Sequence, residues 1–182
     1  MRAVEKKRPP FMTPKRWLLL AIAALVTFGV WFGLYFREIQ LPKWSEDREA
    51  REAALHSGEL AEVSELYKHV WETTTWIAEG EDEAGASRYV FMTEEGEPLF
   101  IIEAEDTLEP DAVKNKFEAA NPDMKRADII RVSPGLFQDA PVWEVYYRNK
   151  SDGVNRYYYQ FYTFDRNVEL IETYKLPAKT GP

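Results

Sequence analysis

Residues Trp17 to Phe36, WLLLAIAALVTFGVWFGLYF, hold no charged residue, no Asn, no Gln and no Pro. Coiled as a helix with a rise of about 1.5 Å per residue, the run is roughly 30 Å long, the thickness of a bilayer's hydrocarbon core. Trp17 and Leu18 open it, and Trp31, Tyr35 and Phe36 close it. Aromatic rings at both ends suit the two membrane–water interfaces. These five residues are therefore expected to anchor a single membrane-spanning helix over 17–36.

The flanking charges orient that helix. Ahead of it stand Arg2, Lys6, Lys7, Arg8, Lys15 and Arg16 against one acid, Glu5. Behind it come Arg37 and Lys43, with Glu38 between. Positive charge near the end of a span stays cytoplasmic. The expectation is a cytoplasmic tail over 1–16 and an extracytoplasmic domain on the C-terminal side, in the cell membrane. The competing reading is a cleaved signal peptide, whose apolar core runs about 7–15 residues and ends in a small-x-small site. Here the core is longer, and GLYFREIQ offers no such site.

Composition narrows the function classes. The chain has no Cys, which excludes disulfides, zinc–thiolate sites and a cysteine nucleophile. Taking the tail's six bases and one acid from the chain's 23 and 31 leaves 17 and 30, a net charge of −13. Such a domain repels phosphate, so no nucleic-acid partner is expected. Proteins, or cationic ions held loosely near a wall, are the expected partners, with the domain itself a monomer.

The exported part begins with helical signals. Leu41-Pro42 is expected to end the membrane helix, and Ser45 to cap the next, with Glu46 and Asp47 in its first turn. Ala50, Ala53, Ala54 and Leu55 give a weak stripe. Leu60, Val63, Leu66, Tyr67 and Val70 give a strong one, at spacings that predict a second helix beyond Gly58. From Trp71 the pattern turns to strands. Thr73–Gly80 reads as one strand, and Ser87–Met92 and Leu99–Glu103 as a hairpin about Glu94-Glu95-Gly96-Glu97. Pro110 suits the first turn of a short helix stopped by Asn121-Pro122, with Val113, Phe117 and Ala120 on one face.

The last third is the strongest β region. Ala127–Val132 reads as a strand and Ser133-Pro134-Gly135 as a turn. Pro141–Arg148 and Asn155–Thr163 read as a long hairpin, and Val168–Tyr174 as the final strand. A two-residue turn at Asp152-Gly153 would set Trp143 opposite Tyr162, Val145 opposite Gln160 and Tyr147 opposite Tyr158. On the other face it would pair Glu144 with Phe161, Tyr146 with Tyr159 and Arg148 with Tyr157. One face must be core. Rings on the other, Tyr146, Tyr157, Tyr159 and Phe161, are either covered by the first unit or presented to a partner.

The order of helix, three strands, helix and four strands predicts an α+β fold. After the membrane helix come two tandem units, each a helix laid on an antiparallel sheet. The first, with a helical stalk, is placed at 37–106, the second at 107–176, and a frayed tail at 177–182. This layout resembles the YpmB/TseB group of bacterial cell-wall elongation regulators, with tandem PepSY-like, cystatin-like modules. PVWEVYYRNKSDGVNRYYYQFYTFDRNVELI is similar to the second module. Val142, Trp143, Glu144 and Val145 carry its first element, and Phe164 with the turn after it the second. Many PepSY-like modules have an Asp-Ala-x-Thr-Gly turn where this chain has TFDRN, and Asn167 is expected to supply the positive φ that Gly gives there.

What the resemblance implies is no enzyme. It implies a single-pass protein of Gram-positive bacteria that associates with a penicillin-binding protein and influences wall elongation. An inhibitor or chaperone of an exported protease is the alternative, and a wall hydrolase using paired acids a third reading. The residues themselves show no catalytic, metal or cofactor site. His56 and His69 are read as surface or packing residues. No G-x-S-x-G elbow, P-loop or H-E-x-x-H is present. The acids at Glu79–Glu83, Glu94–Glu97 and Glu103–Asp106 lack the alternation of a calcium loop and are read as solvated turns.

Overall fold

The computed structural model describes residues 14–125, 128–151 and 154–177, and the side chains of 36–44 and of Ser151 lie outside that description. The basic tail up to residue 13, Ala127, the Asp152-Gly153 turn and residues 178–182 therefore lie outside it, as does the Phe36 ring. Helix α1 covers Pro14–His56, followed by strands β1 Glu62–Val70, β2 Thr74–Glu81, β3 Ser87–Thr93 and β4 Pro98–Glu103. Helix α2, Pro110–Ala120, leads into β5 Ile129–Phe137, β6 Ala140–Ser151, β7 Val154–Thr163 and β8 Leu170–Lys175. The chain divides between Glu46 and Asp47 into two compact units.

The first unit is helical. Pro14–Tyr35 is long and apolar enough to cross a membrane, with none of it buried against protein. Trp17, Leu18, Trp31 and Tyr35 are all more than half exposed. Leu41-Pro42 does not end the helix: α1 continues through it to His56, so Ser45 lies inside the helix and is no N-cap. A proline inside a helix removes one backbone donor and crowds the preceding turn, a local cost that does not by itself stop the helix.

The second unit is α+β: two antiparallel four-stranded sheets, β1-β2-β3-β4 and β5-β6-β7-β8, each in simple sequential order. Residues 62–70, expected to be helical, form β1 instead. The reason is a β-bulge between Val63 and Glu65. It puts Val63 and Leu66 on one face, a spacing of three in place of two, which imitates a helical stripe. Gly80 accommodates the bulge, since a Cβ there would lie 2.0 Å from the Glu62 carbonyl oxygen. The β3–β4 turn forms where expected, with Gly96 at φ +87°. The missing Cβ of Gly96 also lets Ala53 approach, and a methyl there would meet the Ala53 Cβ at 2.5 Å.

In the second sheet, Ser133-Pro134-Gly135 is not a turn. β5 runs straight through it to Phe137, and the reversal comes at Gln138 and Asp139, at φ 51° and 58°. Both positive angles are those of a two-residue I′ hairpin. β5 lies at the edge of its sheet, where a proline is tolerated. The β6–β7 register is the expected one: Trp143 pairs with Tyr162, Tyr146 with Tyr159, and Ser151 with Val154. In the β7–β8 connection the positive φ falls on Val168, at 49°, and not on Asn167. Asp165 holds this turn, its carboxylate accepting from the Asn167 and Val168 amides at 2.8 and 2.9 Å.

Three hydrophobic clusters support these sheets, the smallest made of Phe137, Val142 and Phe161. The end of α1 packs Ala50 and Ala54 on Val63, Trp76, Ala78, Val90 and Met92. Leu55, counted in the same stripe, is exposed. The opposite face of the first sheet supplies Ile77, Tyr89 and Phe91 to the main core, with Val113 and Phe117 of α2 and Trp143, Val145 and Tyr147 of β6. Ala120, expected on the same helix face, is exposed. Each fully buried ring or branched chain contributes about 1.5–3 kcal/mol. Trp143 adds a hydrogen bond, donating from Nε1 to Thr107 Oγ1 at 2.9 Å.

Candidate functional site

Strand alternation sends neighbours on β6 in opposite directions. Trp143 and Val145 enter the main core, where Phe164 stacks on Trp143 at 4.7 Å. Glu144 faces the other side and is 2 % exposed. That side also carries Tyr146, Tyr157, Tyr159 and Phe161.

These rings form a ladder. Tyr146 stacks on Tyr157 at 6.0 Å and on Tyr159 at 4.8 Å, and Phe161 stacks on Phe137 at 4.4 Å. Rings stacked across neighbouring strands stand on edge and turn edges and hydroxyls outward. Trp71, just past β1, crosses those edges. It meets Phe137, Tyr159, Phe161 and Tyr174 at 66° to 74° to their planes, with centroids 4.9 to 6.4 Å away. Phe161 is fully buried, whereas Tyr146, Tyr157 and Tyr159 remain half-buried. Burial, and then the neighbouring tyrosines, push the Tyr146 hydroxyl up. Burial, and then Glu144, do the same for Tyr159. Both phenols are therefore neutral donors at neutral pH.

Beside the ladder lies a polar cluster that joins the two sheets. His69 Nε2 sits 3.2 Å from Glu144 Oε2, across 75 residues of chain. The Leu136 amide donates to His69 Nδ1 at 3.2 Å. With Nδ1 accepting from that amide, Nε2 carries the proton and donates to Glu144. Arg131 donates to the other carboxylate oxygen at 2.5 Å. Burial alone would raise the Glu144 carboxyl, but the hydrogen bonds from His69 and Arg131 outweigh it and hold it below the ordinary carboxylate range. The His69 ring lies on the Gly135 backbone, where a Cβ would come within 2.6 Å of it.

Chemically, this is a clamp. Both imidazole nitrogens are engaged, so the ring has no free position to take a substrate's proton. His69, read from the sequence as a surface or packing residue, is buried and bonded. His56 is exposed, with Nδ1 2.7 Å from the Glu52 carbonyl of its own helix. Among the described residues no group of three or more His, Asp or Glu is placed to hold a metal ion. His69, Trp71, Arg131 and Tyr174 were not singled out for this face by the sequence. The helical reading of residues 60–70 hid the first two. A period-two reading of Tyr67 and His69 against Leu66 and Lys68 would have placed His69 on a buried strand face.

No protein-family model and no curated protein matches the chain. Among solved structures, the YpmB protein from Bacillus subtilis superposes with a TM-score of 0.50 at 17% identity, covering 65% of this chain and 88% of that chain. The likeness is one of fold.

Proposed function

We propose that this chain is a non-enzymatic, membrane-anchored regulator that acts by contact on the extracytoplasmic side. The proposed partner is a penicillin-binding protein, and the proposed process cell-wall elongation. The carrying observation is the tyrosine ladder of the second sheet. Trp71 covers one end of it, while Tyr146 and Tyr157 stay half-buried beside the partly exposed Arg131 side chain. Tyrosine and arginine are the residues most used at recognition surfaces. The apolar helix supports the reading by supplying a tether, which raises the local concentration of other membrane proteins without any further contact. The basic residues ahead of it support an N-terminus in the cytoplasm. The YpmB fold and the likeness of Val142–Val145 and Phe164 to that group's second module support the choice of partner.

A photo-crosslinking residue at Tyr146 or Tyr157, activated in intact membranes, tests this. A penicillin-binding protein is the expected adduct. Capture of an exported protease would replace the reading with the inhibitor or chaperone alternative. Turnover of wall polymer by the purified chain would overturn the non-enzymatic assignment.

A further inference from the structure

The first sheet ends in an edge strand whose side chains are uncovered. In β4, Leu99 is 45 %, Phe100 37 % and Ile101 44 % exposed. Among the described residues β4 pairs only with β3. Edge strands are ordinarily blunted by charge, proline or a bulge, because their free N–H and C=O groups template another strand. Here Pro98 and the irregularity between Phe91 and Met92 blunt only the entry end. From Phe100 to Glu103 the pairing with β3 is regular.

The sequence about this edge is of one sign, and the bases that reach it, Arg88 on Glu103 and Arg166 on the Glu105 carbonyl, both stand at the exit end of β4. Between Arg88 and Lys114 the sequence has eight acids and no base. Glu94, Glu95 and Glu97 are exposed at the entry of β4, and Glu105 and Asp106 just past its exit. Two copies meeting edge to edge in parallel would set Glu94, Glu95 and Glu97 of one against those of the other, which disfavours that self-pairing. An incoming strand with Lys or Arg at its ends meets the opposite condition.

We infer that the β4 edge docks an extended, cationic segment of another protein as a fifth strand of the first sheet. Backbone hydrogen bonds supply the pairing, apolar side chains at alternate positions cover Ile101 and its face of the sheet, and terminal cations meet the flanking carboxylates. This site is separate from the tyrosine ladder and does not rest on the partner proposed there.

The test uses the full chain in phosphatidylcholine nanodiscs, whose neutral surface does not itself attract cations. The probe is a labelled heptapeptide, Lys-Val-Thr-Val-Thr-Val-Lys, followed by fluorescence anisotropy, with a Glu-ended counterpart as control. The Lys-ended peptide is expected to bind, more weakly as salt rises. Its affinity should fall by about tenfold in the Glu94→Lys/Glu95→Lys/Glu97→Lys chain, as partly screened attraction of the terminal cation turns to repulsion. Ile101→Lys should abolish binding while near-ultraviolet circular dichroism shows the fold intact. Equal binding of the Glu-ended peptide would overturn the inference. So would unchanged affinity in the triple variant, no binding of the Lys-ended peptide at low salt, or a chain dimer dispersed by Ile101→Lys.

Discussion

Glu144 is where single-residue chemistry matters most in this fold. Its carboxylate is buried and takes hydrogen bonds from a histidine of β1 and an arginine of β5. Glu144→Ala leaves the buried His69 Nε2–H without its acceptor, so it should lower stability by about 1–3 kcal/mol in urea unfolding. The pH dependence comes from the depressed folded carboxyl. The unfolded chain takes up this proton near the ordinary value of about 4.3, before the folded chain does. Stability from this group is therefore complete at neutral pH and is lost as pH falls below about 5 and through the folded value. Glu144→Gln should flatten that part of the acid unfolding profile; an unchanged slope would assign it to other carboxyls. Gly135 answers to the same cluster. Gly135→Ala should cost about 1–3 kcal/mol by overpacking against the His69 ring. Most of that cost should disappear in a His69→Ala background, as a double-mutant cycle would register.

At the scale of elements, the long hairpin was legible because its side-chain pattern and turn agree. Alternating rings on β6 and β7 and a two-residue gap leave one consistent register, and a slip of one would turn every core ring outward. β1 was not legible, because one bulge converts its period of two into a spacing of three at Val63 and Leu66. β5 is hidden in the sequence for a related reason. Pro134 and Gly135 look like a turn locally, yet an edge position tolerates the proline and the His69 ring occupies the space above the glycine. Gly80→Ala should therefore destabilise by about 2 kcal/mol or more, because its methyl cannot coexist with the Glu62 carbonyl of the bulge. Trp71→Ala removes a ring lying across four others. It should cost about 2–3 kcal/mol in thermal unfolding and weaken the near-ultraviolet aromatic signal.

For the whole molecule, the apolar helix and the α+β unit separate in composition and in contacts. A chain beginning at Asp47 should fold to the same far-ultraviolet spectrum, remain monomeric in sedimentation and leave the membrane fraction, whereas the full chain stays in it. Aggregation of that fragment would show that the preceding helix contributes to the fold. The sequence by itself determined the apolar helix, the acidic character of the domain beyond it, the α+β class and the β6–β7 register. Each is written in composition or in short-range periodicity, where neighbouring residues carry the signal. Only the tertiary structure decided that residues 62–70 are a strand, that β5 passes through Pro134, and that His69 and Trp71 close on Glu144 and the tyrosine ladder. The last of these depends on packing between segments some 70 residues apart, as in the His69–Glu144 bond across 75. The free energy of such contacts exists only once both sheets have formed, and no local pattern records it.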